Sequence, residues 1–269
     1  MTPKYLAHFG LEAAPFSKEI ADAELWLPTS KVEVVEALVD ALHERVSLCL
    51  TGEPGVGKTC VLRALRHRLH PSAGFRLTYC HNATLGRRDF YRQLCTALGL
   101  TPSATAAALF HAVTTRVEEL GREKLHPVFL LDEAHLLHQD TLDHLHILMN
   151  YDWDRRALLS LVLIGLPELE KRLMVGRNRP LYSRLSWRLT LGALTVEDTG
   201  EYVRTRLAKA GVSREVFTAE AIAMVHDAAA GAHREIDRLA TAALRVAAQR
   251  KKKLVERDTL AHVVEASDA

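Results

Sequence analysis

Val32, Val35, Leu38, Val39 and Leu42 recur at helical spacing and predict a helix over 31–44. The pattern then changes to short apolar runs. Those at 46–50, 75–80, 127–131 and 159–165, with one near 187–191, read as buried strands. Helical periodicity fills the intervals over 59–70, 87–98, 105–120 and 139–150. Strands that alternate with helices imply right-handed crossovers and a parallel sheet covered on both faces. Beyond Leu194 the strands stop, and helices are predicted over 196–210, 219–229, 233–250 and 257–265. Thr195 and Asp198 are spaced to form a capping box at the start of the first of these. The expected organisation is an α/β domain over 1–194 that includes an N-terminal segment 1–30, then a small helical domain over 195–269.

Composition narrows the class. Of 269 residues, 48% are hydrophobic and 25% charged, which excludes a disordered chain, a collagen and a disulfide miniprotein. Cys49, Cys60, Cys80 and Cys95 form no C-x-x-C pair, so reduced thiols are expected instead of a zinc or redox centre. The N-terminus lacks the apolar region of a secretory signal. The longest apolar run, 157–166, is about half a membrane span. A cytoplasmic protein with no membrane partner is expected.

The strongest chemical signal is Gly52-Glu53-Pro54-Gly55-Val56-Gly57-Lys58-Thr59, which fits G-x-x-x-x-G-K-[ST] in full between a predicted strand and a predicted helix. Glycines let backbone N–H groups curl around phosphates, and the following helix turns its positive end toward them. Lys58 is expected to reach the β and γ phosphates of ATP and Thr59 to ligand Mg²⁺, with Cys60 following in the first helical turn. Asp132 and Glu133 end the apolar run 127–131. An acid at the carboxyl end of a parallel strand lies where such sheets bind ligands. Asp132 is therefore expected at Mg²⁺ and Glu133 at the attacking water.

These motifs, with Gly231-Ala232-His233-Arg234, resemble the AAA+ ATPases. The resemblance implies a P-loop NTPase core with a five-stranded parallel sheet and a C-terminal helical lid. It also implies that Arg234 senses the γ-phosphate. Phe9-Gly10-Leu11, Pro15-Phe16, Asp132-Glu133-Ala134-His135, Asn150-Tyr151-Asp152 and Ile164-Gly165-Leu166-Pro167-Glu168-Leu169 are similar to one branch of that family. The branch holds ExeA-type secretion ATPases and transposon-encoded ATPases of the TnsC and MuB kind. By this resemblance Phe9 and Phe16 would pack over the adenine. A neighbouring subunit's arginine would complete the site, with Arg184 the leading candidate and Arg179 and Arg188 its rivals. Relatives place a polar sensor at the end of the fourth strand. This chain has Leu166 there, which implies slow turnover.

The net charge of +2 conceals strong segregation. Residues 60–116 hold eight basic residues and one acid, 117–170 hold four and eleven, and 171–195 hold six and none. Two basic surfaces are expected, one for DNA and one for a neighbour's ATP. By resemblance to the TnsC-like proteins, Arg87, Arg88, Thr101 and Ser103 would grip the DNA backbone. The leading expectation is an oligomeric, DNA-binding ATPase that serves a transposase on double-stranded DNA. An ExeA-like secretion ATPase, a helicase loader and a nucleotide-gated scaffold stay open.

Overall fold

A computed structural model describes residues 3–81 and 83–266. The order of elements is α1 (Lys4–Phe9), α2 (Thr29–His43), β1 (Ser47–Thr51), α3 (Lys58–Arg68), β2 (Phe75–Cys80), α4 (Arg87–Ala97) and α5 (Ala106–Arg122). Then come β3 (His126–Leu131), α6 (Gln139–Leu148), β4 (Ser160–Gly165), α7 (Glu168–Met174), α8 (Arg179–Tyr182) and β5 (Leu185–Thr190). Four helices follow: α9 (Val196–Lys209), α10 (Ala219–Ala229), α11 (His233–Gln249) and α12 (Arg257–Glu265).

The strands form one parallel sheet in the order β2-β3-β4-β1-β5. Position in the sheet explains their composition. β1, β3 and β4 are interior strands, and every residue in them is buried, so they read as unbroken apolar runs. β2 and β5 lie at the edges and are only partly buried, with β2 exposing Arg76 and Tyr79 and β5 turning Ser186, Arg188 and Thr190 outward. Polar groups at the start of the interior strands are paired. Ser47 Oγ accepts the Leu161 N–H at 2.8 Å, and His126 Nε2 lies 2.8 Å from Ser160 Oγ.

The chain divides into two compact units. One holds Ser30–Glu53 and Lys58–Leu191, and the other holds Met1–Thr29, Pro54–Gly57 and Gly192–Ala269. This corrects the expected boundary, which counted the N-terminal segment with the sheet. Tyr5, Leu6, Phe9, Leu11 and Phe16 belong instead to the core formed by α9–α12. Arg206 fastens the segment, its Nε donating to Pro15 O and its Nη2 to Ser17 O, each at 2.6 Å. Trp26 adds a hydrogen bond from Nε1 to Glu201 Oε1 (3.1 Å) and packs its ring on Tyr202. The periodicity that identified the other helices is too short to register in the six residues of α1. α7 and α8 lie within motif and basic runs that gave no helical expectation. The capping box at α9 is present: Thr195 Oγ1 accepts the Asp198 N–H, and Asp198 accepts the Thr195 N–H. No helix among the described residues is long and apolar enough to cross a membrane. All four cysteines are free thiols.

His126 gives the sheet unit a pH dependence. Burial lowers its pKa from 6.5 to about 4, helped by the charge of Arg45. The unfolded chain takes up this proton near pH 6.5, and the folded one resists it until about pH 4. Stability from this site is therefore complete above pH 6.5 and is lost as the pH falls toward 4. Urea denaturation at pH 7 and pH 5 should show a loss roughly 2 kcal/mol larger for the native chain than for His126→Gln. Equal losses would refute this assignment.

Candidate functional site

β1 stops at Thr51, where the Gly52 N–H donates to Gly165 O at 3.2 Å and closes the end of the β1–β4 ladder. The chain then turns through Gly55 and Gly57, with φ of 79° and 102°, values that L side chains rarely adopt. α3 begins at Lys58, which is buried, and its Nζ donates to Gly52 O (2.6 Å) and Glu53 O (3.0 Å). The ammonium is thereby held at the loop by its carbonyls. Thr59 is exposed in the first turn of α3 and Cys60 is half-buried.

Asp132 follows the last residue of β3 and is buried. Its two carboxylate oxygens have separate donors: Tyr79 O–H reaches Oδ2 at 2.6 Å and Glu133 N–H reaches Oδ1 at 2.9 Å. Burial, then the hydrogen bond to Asp132, raises the Tyr79 pKa well above the usual phenol range. The phenol therefore stays protonated and remains a donor. Glu133 adopts the left-handed conformation (φ 52°, ψ 34°), and its half-exposed carboxylate lies 3.5 Å from His135 Nδ1. Thr59 and Asp132 are the oxygen donors suited to a divalent cation here.

A family model for the AAA domain matches residues 32–173, just over half of the chain. The chain belongs to the AAA domain family. It is an ATPase with the P-loop α/β fold. It is 32% identical over 243 residues to general secretion pathway protein A of Aeromonas hydrophila, covering 89% of this chain and 44% of that protein. The chain thus spans less than half of that relative's length. Its fold is similar to Cdc6p from Pyrobaculum aerophilum, with a TM-score of 0.68 and 19% identity, over 90% of this chain and 67% of that one. It is also similar to Drosophila ORC in a structure bound to DNA, with a TM-score of 0.69 and 20% identity, over 99% and 66% of the two chains.

The helical unit of this AAA ATPase contains Arg234 and the loop tip Pro54–Gly57. Arg234 is exposed in the first turn of α11, and its backbone N–H points at Gly55 O at 3.5 Å. A Cβ on Gly55 would sit 3.3 Å from the Cβ of Arg234, so glycine is what permits this approach. Phe9 and Phe16 depart from expectation. Both rings are buried in the helical core, which leaves no face for an adenine.

The basic run 171–188 is also less free than its composition suggests. Arg172 donates to His135 O at 2.8 Å, and Arg177 pairs with Asp143. Arg184 pairs with Asp154 at 2.9 Å and also donates to Pro180 O. Arg188 lies over the Tyr182 ring, 4.0 Å from its centroid. Arg179 is exposed at the start of α8, and its side chain makes no ion pair among the described residues. Partners of two of these arginines, Asp143 and Asp154, come from the acidic block 117–170, so the two blocks partly neutralise each other.

α4 separates the residues expected at DNA. Arg87 and Arg88 are exposed at its N-terminus, whereas Thr101 (exposed) and Ser103 (half-buried) lie beyond its C-terminus. The eleven residues of α4 span about 16 Å along its axis. The residues that sequence reasoning missed at the ATPase centre are Tyr79 and His135. Tyr79 lies in a strand that carries no motif, and His135 entered only through the resemblance of the run 132–135.

Gly231 positions the start of α11 from a φ of 67°. A Cβ there would collide with the Leu194 carbonyl oxygen, whose residue also donates its N–H to Gly231 O at 3.0 Å. Gly231→Ala should cost roughly 2 kcal/mol or more. An unchanged midpoint in urea would refute the close-approach explanation.

Proposed function

We propose that this AAA ATPase binds Mg²⁺–ATP, oligomerises, and acts on double-stranded DNA in the cytoplasm as the regulator of a transposase. The observation that carries the DNA reading is the exposed Arg87–Arg88 pair, which opens α4 within a segment of eight basic residues and one acid. Lysine and arginine in such a patch bind phosphates without reading bases, with an affinity that falls steeply with salt. The fold's likeness to ORC in a structure bound to DNA supports the same reading. The quoted resemblance to the TnsC and MuB kind supports the transposase as client.

The residues fit a magnesium nucleotide. The Gly55–Gly57 turn offers backbone donors to phosphates, Lys58 would neutralise them, and Thr59 and Asp132 would hold the metal. Bound Mg²⁺ would supply charge neutralisation of the phosphate oxygens. Glu133 would orient the attacking water. Arg234 would touch the γ-phosphate, and Arg184 of a neighbouring subunit would complete the site. The Arg184–Asp154 pair is partly exposed, and such pairs contribute little, typically below about 1 kcal/mol, so it can be exchanged.

A second reading is a secretion-pathway ATPase, favoured by the 32% identity to general secretion pathway protein A. Duplex binding separates the two. Arg87→Glu with Arg88→Glu should weaken duplex binding and reduce the salt slope by about 2. An unchanged slope removes these residues from the interface, and the absence of any duplex affinity with ATP favours the secretion reading. Electron microscopy with a non-hydrolysable analogue should show DNA-dependent rings or filaments. Tyr79→Phe, which removes a donor from Asp132, should weaken Mg²⁺ binding about 10- to 100-fold. Unaltered affinity would mean that the phenol does not orient the carboxylate.

A further inference from the structure

His135 Nδ1 sits between two groups that need opposite things from it. The Leu166 N–H at the end of β4 points at Nδ1 from 3.4 Å. Glu133 Oε2 lies 3.5 Å from the same atom. A single imidazole nitrogen either carries a proton and donates, or is bare and accepts. It satisfies the amide or the carboxylate, never both together.

The rest of His135 is fixed. Arg172 donates to its carbonyl oxygen at 2.8 Å. Its ring lies against Gly165, where a Cβ would fall 3.2 Å from both His135 N and Nδ1, so any larger residue there would press on the ring. The His135 side chain is 13% exposed, whereas that of Glu133 is 49% exposed. A nearly buried, anchored imidazole thus faces a carboxylate that has little else to restrain it. Leu166 contributes no polar side chain at this end of β4, and only its amide reaches the ring.

We propose that His135 is the positioning residue for Glu133 in ATP hydrolysis. With the proton on Nδ1, the ring donates to Oε2 and holds the carboxylate in one orientation, leaving Oε1 for the attacking water. With Nδ1 bare, the ring takes the Leu166 N–H and releases Glu133. The catalytic carboxylate is thereby coupled to the end of β4 through one ring nitrogen. This rests on the reading of Glu133 as the residue that orients water.

Steady-state ATPase assays on the full chain test the proposal. His135→Ala should lower kcat about tenfold or more, with the KM for ATP and the affinity for a non-hydrolysable analogue held within about twofold. His135→Asn, which returns a polar nitrogen near the position of Nδ1, should recover most of the loss. An unchanged kcat in His135→Ala, a loss that His135→Asn does not recover, or a loss matched by weaker analogue binding would overturn it. Nitrogen NMR of labelled histidine gives a readout independent of turnover. Glu133→Gln should move the His135 Nδ1 resonance, and an unmoved resonance overturns the proposed contact. Glu133→Gln also tests the underlying reading, since it should bind ATP and fail to turn it over. Turnover at the native rate would remove Glu133 from catalysis, a result distinct from a silent His135→Ala.

Discussion

The ATPase centre depends on parallel pairing among three strands that are buried on both faces. In that ladder Thr51 of β1 pairs with Gly165 of β4, and Leu131 of β3 pairs with Leu163. The carboxyl ends of the three strands are therefore locked in register, with β1 and β4 ending level and β3 ending two residues short of them. From these ends the chain supplies Gly52, Asp132 and Leu166, each the first residue after its strand. Side chains alternate faces along a strand, so a slip of one residue would invert the interior apolar set, and the burial of β1, β3 and β4 prevents it. Chemistry at this edge inherits its precision from apolar packing several residues away.

That dependence explains how much of the molecule was legible in the sequence. Interior strands show as plain apolar runs, so β1, β3 and β4 were placed to within one residue, and the edge strand β2 was placed to the residue. Long amphipathic helices such as α10 and α12 were equally clear. The P-loop was legible because its turn needs glycine at defined positions, a constraint that is local in sequence. Tyr79 and His135 were not legible as site residues because each acts through a partner supplied by another strand. Tyr79 meets Asp132 across the β2–β3 pair, and His135 meets Leu166 across the β3–β4 pair. Phe9 and Phe16 failed for the opposite reason. An exposed aromatic for a base and a buried aromatic for a helical core look the same in one sequence, and here burial won.

Charge was legible only as a sum over segments. The acidic block 117–170 and the basic block 171–195 are adjacent in sequence, and part of that opposition is spent within the fold. Arg177 meets Asp143 and Arg184 meets Asp154, while Arg172 and Arg188 turn to a carbonyl and to a ring. Exposed pairs of this kind add little stability. Their effect is to hold arginines in set places until a stronger anion competes. The basic residues of 60–116 have a single acid in their own segment, Asp89, and Arg87 and Arg88 have no ion-pair partner among the described residues. The acidic block 117–170 adjoins this segment too, and Arg116 pairs with its Glu119 and Glu123, so the charge left without an ion pair is local to the start of α4.

The two adjacent acids after β3 show how one backbone torsion assigns different tasks to like side chains. Asp132 continues the strand direction, is buried, and has a donor on each oxygen. Its geometry is set before any ligand arrives. Glu133 turns into the left-handed region, a conformation costing about 1 kcal/mol for a residue with a Cβ. That turn takes its carboxylate out of the strand's line and leaves it half-exposed beside one imidazole nitrogen. A carboxylate that binds a cation benefits from rigidity, because reorganising it weakens the bond. One that meets a water only during reaction must be free at other times, yet aligned when the reaction occurs. The strained torsion supplies the freedom and His135 the alignment, so both roles fit into two consecutive residues.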